Sequence, residues 1–262
     1  MTSAAVRNVE VSGRLTFNWG RRGESHTVGS SFNRETWPDA SFVARLAEVD
    51  REALLAAGVP SRFEDEQALL VQGDSGDFLY VLVSGVVKVA VAPMSGAQTT
   101  LAIRSRGDIV GEYALLDDQP RTATARAAGP VTALRVNRPD FLGLMDRSPA
   151  AQAAVTGYLL AQMRMATERR AAERIWEAKE RLAQVLYDLA LQYAQPGTGS
   201  GMIRIPISQS DLGDLAGVAV STTERVLKDL RRQDILSTRY REITIRDMDR
   251  LDKMRFPQEK SE

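Results

Sequence analysis

Apolar and polar positions change rhythm several times along this chain, and each change marks a new element. Over 37–57, Phe42, Val43, Leu46, Val49, Leu54 and Leu55 recur at helical spacing, which predicts one or two amphipathic helices. From Arg62 to about Val136 the rhythm becomes one of short apolar runs, at 68–71, 78–83, 86–91, 99–103 and 131–136. Gly73-Asp74, Ser84-Gly85, Ser95-Gly96, Arg106-Gly107-Asp108 and Gly129-Pro130 punctuate them. Short strands at even spacing between glycine turns predict a jelly-roll or small β-barrel.

After Pro149 the pattern turns helical for some 45 residues. Val155, Leu159, Met163 and Ala166 make one narrow apolar stripe. Residues 168–181 carry nine charged side chains among fourteen, a solvated surface with Ile175, Trp176 and Leu182 expected to turn inward. A long helix with a narrow stripe calls for a partner helix, so a homodimer seam is expected, with packing on the chain's own β domain as the alternative. The run from Gln195 to Gly201 reads as a linker or hairpin loop. A strand over 202–207, a helix from Ser208, a turn at Gly217, a second helix to about Gln233 and a hairpin around Tyr240-Arg241 predict a winged helix-turn-helix. Ser221 and Glu224 have the spacing of a capping box for the second helix. The resulting fold class is α+β, in four parts: an N-terminal extension, partly disordered, at 1–36; a β-roll at 37–148; a dimerisation helix and hinge at 149–196; and a winged helix-turn-helix at 197–262.

Composition narrows the chemistry. The chain has 262 residues, with 34 basic and 34 acidic side chains, so global charge does not argue for nucleic acid. It has no cysteine, which removes disulfides, iron–sulfur clusters and thiolate chemistry. A single histidine, His26, makes a histidine metal site or a Ser-His-Asp triad improbable, and no enzyme activity or metal is expected. No run of about 18 apolar residues is present, so no membrane span is expected and the cytoplasm is the expected compartment.

Two constellations carry the candidate chemistry. Residues 111–127 read GEYALLDDQPRTATARA. The guanidinium fork of Arg121 suits a phosphate. An ionised Glu112 can only accept hydrogen bonds and suits a sugar hydroxyl. The backbone at Gly111 can approach an anion closely. Tyr113, Ala114, Thr122 and Ala123 complete the candidate site, and an internal Glu112–Arg121 ion pair without a ligand is the alternative. In the second constellation, Ser208 and Gln209 begin the first helix of the helix-turn-helix. Val220, Ser221, Thr222, Thr223, Arg225, Lys228 and Arg232 follow on the second, and Arg239 and Arg241 lie in the hairpin. Six basic and three acidic residues between Ser221 and Arg241 give a local positive excess suited to double-stranded DNA.

On these residues the chain resembles the catabolite activator / fumarate-nitrate regulator (Crp/Fnr) family of bacterial transcription factors over roughly residues 40–250. The stretch GEYALLDDQPRTAT is similar to the phosphate-binding cassette of cyclic-nucleotide domains. The resemblance implies that Glu112 holds a ribose hydroxyl, Arg121 the cyclic phosphate, and Thr122 the phosphate or the base, with backbone contacts from Gly111 and Ala123. It implies cyclic AMP, or cyclic GMP, as effector, a homodimer on a palindromic DNA site, and RNA polymerase as a further partner. An orphan roll with another ligand or none is the alternative. Three departures stand out. The base-contacting hydroxyls of the long helix correspond either to Arg170-Ala171 or to Ala166-Thr167. The segment is about four residues shorter and lacks a Phe-Leu-Asp-like hinge. Val220-Ser221 replaces an arginine-glutamate pair at the start of the recognition helix, while Arg225 matches the later arginine.

Overall fold

The computed structural model describes the backbone of residues 7–10, 14–19 and 26–28 and all of residues 37–92, 98–193 and 202–256. The chain divides into two compact units, Met1–Trp37 and Pro38–Glu262. In the first, β1 (Arg7–Glu10), β2 (Arg14–Trp19) and β3 (His26–Val28) form an antiparallel sheet in that order. Its isolated apolar residues do not predict these strands. The rest of the extension lies outside the described residues, as do the expected Ser95-Gly96 turn and the loop ending at Gly201.

The second unit opens with α1 (Phe42–Arg45) and α2 (Glu48–Ala57). The roll follows: β4 (Val59–Phe63), β5 (Ala68–Leu70), β6 (Phe78–Ser84), β7 (Val87–Val91), β8 (Thr99–Arg104), β9 (Ile109–Val110), then α3 (Glu112–Asp117), β10 (Thr124–Ala127) and β11 (Val131–Asn137). They make two four-stranded antiparallel sheets, β5-β10-β7-β8 and β4-β11-β6-β9. Leu69, Leu82, Val87, Val110 and Ala125 fill the roll's core. The apolar runs predict β5, β6, β7, β8 and β11. They miss β4, β9 and β10, because β4 is an edge strand with one buried side chain, β9 has two residues, and β10 is built of Thr, Ala and Arg.

Helices α4 (Arg138–Arg147), α5 (Pro149–Ile175) and α6 (Ala178–Tyr193) come next. Helix α5 starts where Pro149 cannot donate a bond and the Ser148 hydroxyl accepts from the Ala151 N–H at 3.1 Å. Its 27 residues span about 40 Å. The expected helical stretch of some 45 residues is two helices. Trp176 takes an extended backbone (φ −100°, ψ 147°), and the Glu177 N–H donates to the Glu180 carboxylate at 2.7 Å, which starts α6 afresh. This break at Trp176 and Glu177 falls within the 149–196 segment expected to hold the dimerisation helix and hinge. Of the three residues expected to turn inward, Leu182 is buried, Trp176 is partly buried and Ile175 is exposed.

The C-terminal part contains β12 (Ile203–Ile205), α7 (Gln209–Ala216), α8 (Val220–Arg232), β13 (Leu236–Arg239), β14 (Glu242–Ile245) and α9 (Met248–Lys253), with sheet order β12-β14-β13. Leu182, Leu186, Leu212, Leu227, Ile235 and Ile243 pack in one cluster that also takes in Val86 and Ile103 of the roll. The two halves of this unit therefore share apolar contacts.

A buried carboxylate ties three segments together. Asp108, just before β9, accepts from the Ser105 N–H at 2.9 Å, from the Tyr158 hydroxyl on α5 at 3.3 Å and from Gln192 Nε2 on α6 at 3.0 Å. Tyr158 also meets Phe42 edge-on, with ring centroids 5.6 Å apart. Burial raises the Asp108 pKa, although Arg104 and the donated bonds oppose the shift. An acid whose pKa is raised by folding contributes most at low pH, and that contribution is lost as pH climbs from about 4 through the folded value. Asp108→Asn should therefore flatten the pH dependence of stability in urea denaturation above about pH 4. Identical slopes for variant and wild type would remove Asp108 from this role. Asp108→Ala should cost about 1–3 kcal/mol, because it leaves Tyr158 and Gln192 without their acceptor.

Candidate functional site

One cleft gathers Gly111, Glu112, Tyr113, Ala114, Arg121, Thr122 and Ala123, all seven roll residues of the expected ligand site. Local backbone geometry brings this about. Gly111 has φ +93°, and a Cβ there would sit 2.6 Å from Arg121 Nη1, so only glycine allows the guanidinium to come this close. The Arg121 backbone is pinned across the loop, its N–H donating to Asp74 O at 2.8 Å and its carbonyl accepting from the Gly73 N–H at 2.9 Å. Its side chain donates to Gly111 O and Phe78 O, each at 2.6 Å, and lies over the Phe78 ring.

Glu112 and Arg121 are 6% and 4% exposed, and among the described residues no ion pair joins them. The alternative of an internal Glu112–Arg121 pair is therefore not what forms. Burial raises the Glu112 pKa, opposed chiefly by Arg104. Burial lowers that of Arg121, opposed by Asp77 and Glu112. Arg104 also lines the cleft. Burial works against its charge, but Tyr158, Asp108 and Glu112 around it leave its pKa raised. The cleft encloses about 70 Å3.

Arg104 and Asp108 are absent from the expected site. Asp108 falls in a tripeptide that reads as a turn, and Arg104 ends a strand with no local signal; only the folding of β8 and β9 beside α5 brings them together. Conversely, Thr167 and Arg170 do not line the cleft. Both are exposed on α5, where the Thr167 hydroxyl donates to Met163 O at 2.9 Å. The side chain that α5 sends back to the roll here is Arg169, whose Nη1 lies 3.5 Å from Leu101 O.

The second surface is built on α7 and α8. The Ser208 hydroxyl caps α7, accepting from the Asp211 N–H at 3.0 Å, and Gln209 follows as its first residue. Gly217 ends α7 with φ +61°. Helix α8 is capped by Ala219, not by Ser221, and Ala219 makes no side-chain capping bond. The chain enters the helix two residues earlier than the capping-box spacing suggests, which places Ser221 in its first turn. Thr223 is fully buried, its hydroxyl donating to Ala219 O at 3.2 Å and facing Gly213, so it packs the two helices together. Val220, Ser221, Arg225, Lys228 and Arg232 are exposed, and Thr222 is half-buried. Arg225 and Lys228 make no hydrogen bond or ion pair with another described residue. In the hairpin, Arg239 is exposed while Arg241 bonds Asp65 and Glu66.

Among the described residues no group of three His, Asp or Glu could hold a metal ion, and no helix is long and apolar enough to cross a membrane. Residues 60–148 match the model of the cyclic nucleotide-binding domain, and residues 180–254 that of the Crp-like helix-turn-helix domain. The cyclic AMP receptor protein of Thermus thermophilus is 29% identical over 188 residues, covering 72% of this chain and 84% of that protein. The structure of FixK2 from Bradyrhizobium japonicum superposes with a TM-score of 0.66 at 21% identity, over 77% of this chain and 98% of that one. The c-di-GMP responsive regulator CLP of Xanthomonas campestris superposes with a TM-score of 0.61 at 20% identity, over 76% and 99%. A cyclic nucleotide-binding domain followed by a Crp-like helix-turn-helix, on this fold, makes the chain a DNA-binding transcription regulator of the Crp/Fnr family.

Proposed function

We propose that this regulator is a homodimer whose roll binds a cyclic nucleotide, cyclic AMP first among them, and whose two recognition helices read a two-fold symmetric DNA site. One observation carries the effector reading: a buried carboxylate and a buried guanidinium share a cleft without forming an ion pair with each other. A ribose hydroxyl offers Glu112 a donor, and a cyclic phosphate offers Arg121 a better acceptor than two carbonyls. The name of the Thermus relative agrees with cyclic AMP. The cytoplasm is the compartment this reading implies, and RNA polymerase the protein partner.

The dimer reading rests on α5. The first half of its stripe is covered, with Val155 and Tyr158 buried. Farther along, Leu160 and Met163, three residues apart and so on one face, are exposed, Met163 by 63%. Two such helices side by side would bury these residues and place two copies of α8 at a fixed separation. Ligand would act by favouring one placement of the DNA-binding parts over another, through differential affinity for the two.

A second reading keeps the DNA and drops the nucleotide. The 70 Å3 cleft favours it, since small-molecule sites usually offer about 300 Å3 or more.

Three measurements test these readings. In calorimetric titrations with cyclic AMP and cyclic GMP, Arg121→Ala should lose about 10- to 100-fold in affinity, the worth of a charge-assisted bond. Unchanged binding would refute the site, and silence from the wild type with both nucleotides would establish the second reading. Met163→Glu should turn a dimer into a monomer in sedimentation; a persisting dimer would move the seam elsewhere. Arg225→Ala should cost about 1–3 kcal/mol on the specific DNA site and little on random sequence. An equal loss on both would make Arg225 a phosphate contact.

A further inference from the structure

The wing of the helix-turn-helix is held by the roll. Arg241 lies at the hairpin tip with φ +53°, between β13 and β14. Its Nη1 donates to Asp65 Oδ2 at 2.7 Å, and its Nη2 pairs with Glu66 Oε1. Asp65 and Glu66 form the turn between β4 and β5. That turn is braced from behind: the Gly129 N–H donates to Asp65 Oδ1 at 2.8 Å. This bond, with Arg241 beside it, keeps the Asp65 carboxyl below its usual pKa despite some desolvation.

The contact continues as a chain of alternating charge. Lys88 of β7 lies 3.3 Å from Glu66 and 3.6 Å from Asp211 of α7. Thr100 of β8 donates its hydroxyl to Asp211 at 2.8 Å and its N–H to Asp214 at 2.9 Å. A further acidic side chain, Glu173 at the end of α5, lies beside the turn that precedes α8: a Cβ at Gly217 would come within 2.6 Å of its Oε1.

We propose that this network is an autoinhibitory clasp, in which the acidic turn Asp65-Glu66 occupies the wing arginine in place of a DNA phosphate, so that the roll and the duplex compete for Arg241. The inference rests on the reading of Arg241 as a DNA contact. A guanidinium fork fits carboxylate and phosphate with the same geometry, which makes the two partners mutually exclusive. The pairs are part-exposed, so each is weak and screened by salt. The clasp therefore biases a population and does not lock it, which is what a reversible regulator requires.

The test uses the full chain without nucleotide and a random-sequence DNA duplex as probe. The NMR signal of the Arg241 guanidinium, assigned by its loss in Arg241→Ala, should shift in the double variant Asp65→Asn/Glu66→Gln; an unmoved signal overturns the clasp. The same double variant should bind the duplex about fivefold more tightly than wild type, by fluorescence anisotropy at low salt. In an Arg241→Ala background the two substitutions should bring no gain. A gain that persists there overturns the proposal, because the acids would then merely repel DNA at a distance. If the signal shifts but Arg241→Ala costs no DNA affinity in the double variant, the wing reading fails, and the competition falls with it while the contact remains.

Discussion

The structure of the larger unit depends on one charge taken out of water. Asp108 is 5% exposed, and its acceptor sites are filled from the roll, from α5 and from α6. A buried carboxylate without partners would be prohibitively costly, so these donors are requirements of the fold. They also fix geometry, because Tyr158 and Gln192 can reach one carboxylate only if α5 and α6 hold particular positions against the roll. Arg104 supplies the countercharge and lies beside both Asp108 and Glu112. The ligand cleft and the base of the DNA-binding part are thus electrostatic neighbours, with no long path between them.

That proximity gives a physical reading of how such a molecule can switch. The helix breaks at Trp176-Glu177, and the roll meets the C-terminal part both through the apolar contacts of Val86 and Ile103 and through polar ones: Gln192 to Asp108, Lys88 to Asp211, Thr100 to Asp211 and Asp214. Polar contacts exchange for water at little net cost, whereas parting Val86 and Ile103 from the cluster around Leu182, Leu212 and Leu227 would expose apolar surface. A change of charge at Glu112 or Arg121 alters the field at Arg104 and, through it, at Asp108. Under the proposed reading the DNA-binding face needs no rebuilding, since Ser221, Arg225 and Lys228 already stand on one exposed side of α8.

Much of this was legible along the chain, for reasons particular residues make clear. Gly217 announces the turn between α7 and α8 because the left-handed backbone there favours glycine. Ser208 announces α7 through its hydroxyl, and the cassette around Glu112 and Arg121 is legible because both functional residues sit on one short connection. The misreadings are equally specific. Ser221 and Glu224 have the spacing of a cap, but the chain enters α8 at Val220, with Ala219 in the cap position. Thr223 looks like a polar surface residue, yet its methyl-bearing side chain suits the space beside Gly213. The position of the helix break is not marked by the apolar pattern, although Glu180, three residues beyond Glu177, carries the capping signal; the dense charges around it resemble a continuous solvated surface.

The sequence alone determined the order of the parts, the strands with strong apolar runs, the turn glycines and the identity of the cassette, because each depends on neighbours a few residues apart. Tertiary structure alone decided which charges meet. Arg104 joins Glu112 and Asp108, Arg241 reaches Asp65 across 176 positions, and Thr167 and Arg170 stay outside the cleft. Electrostatic partners are chosen by distance in space and by exclusion of water, and neither quantity is encoded in local spacing.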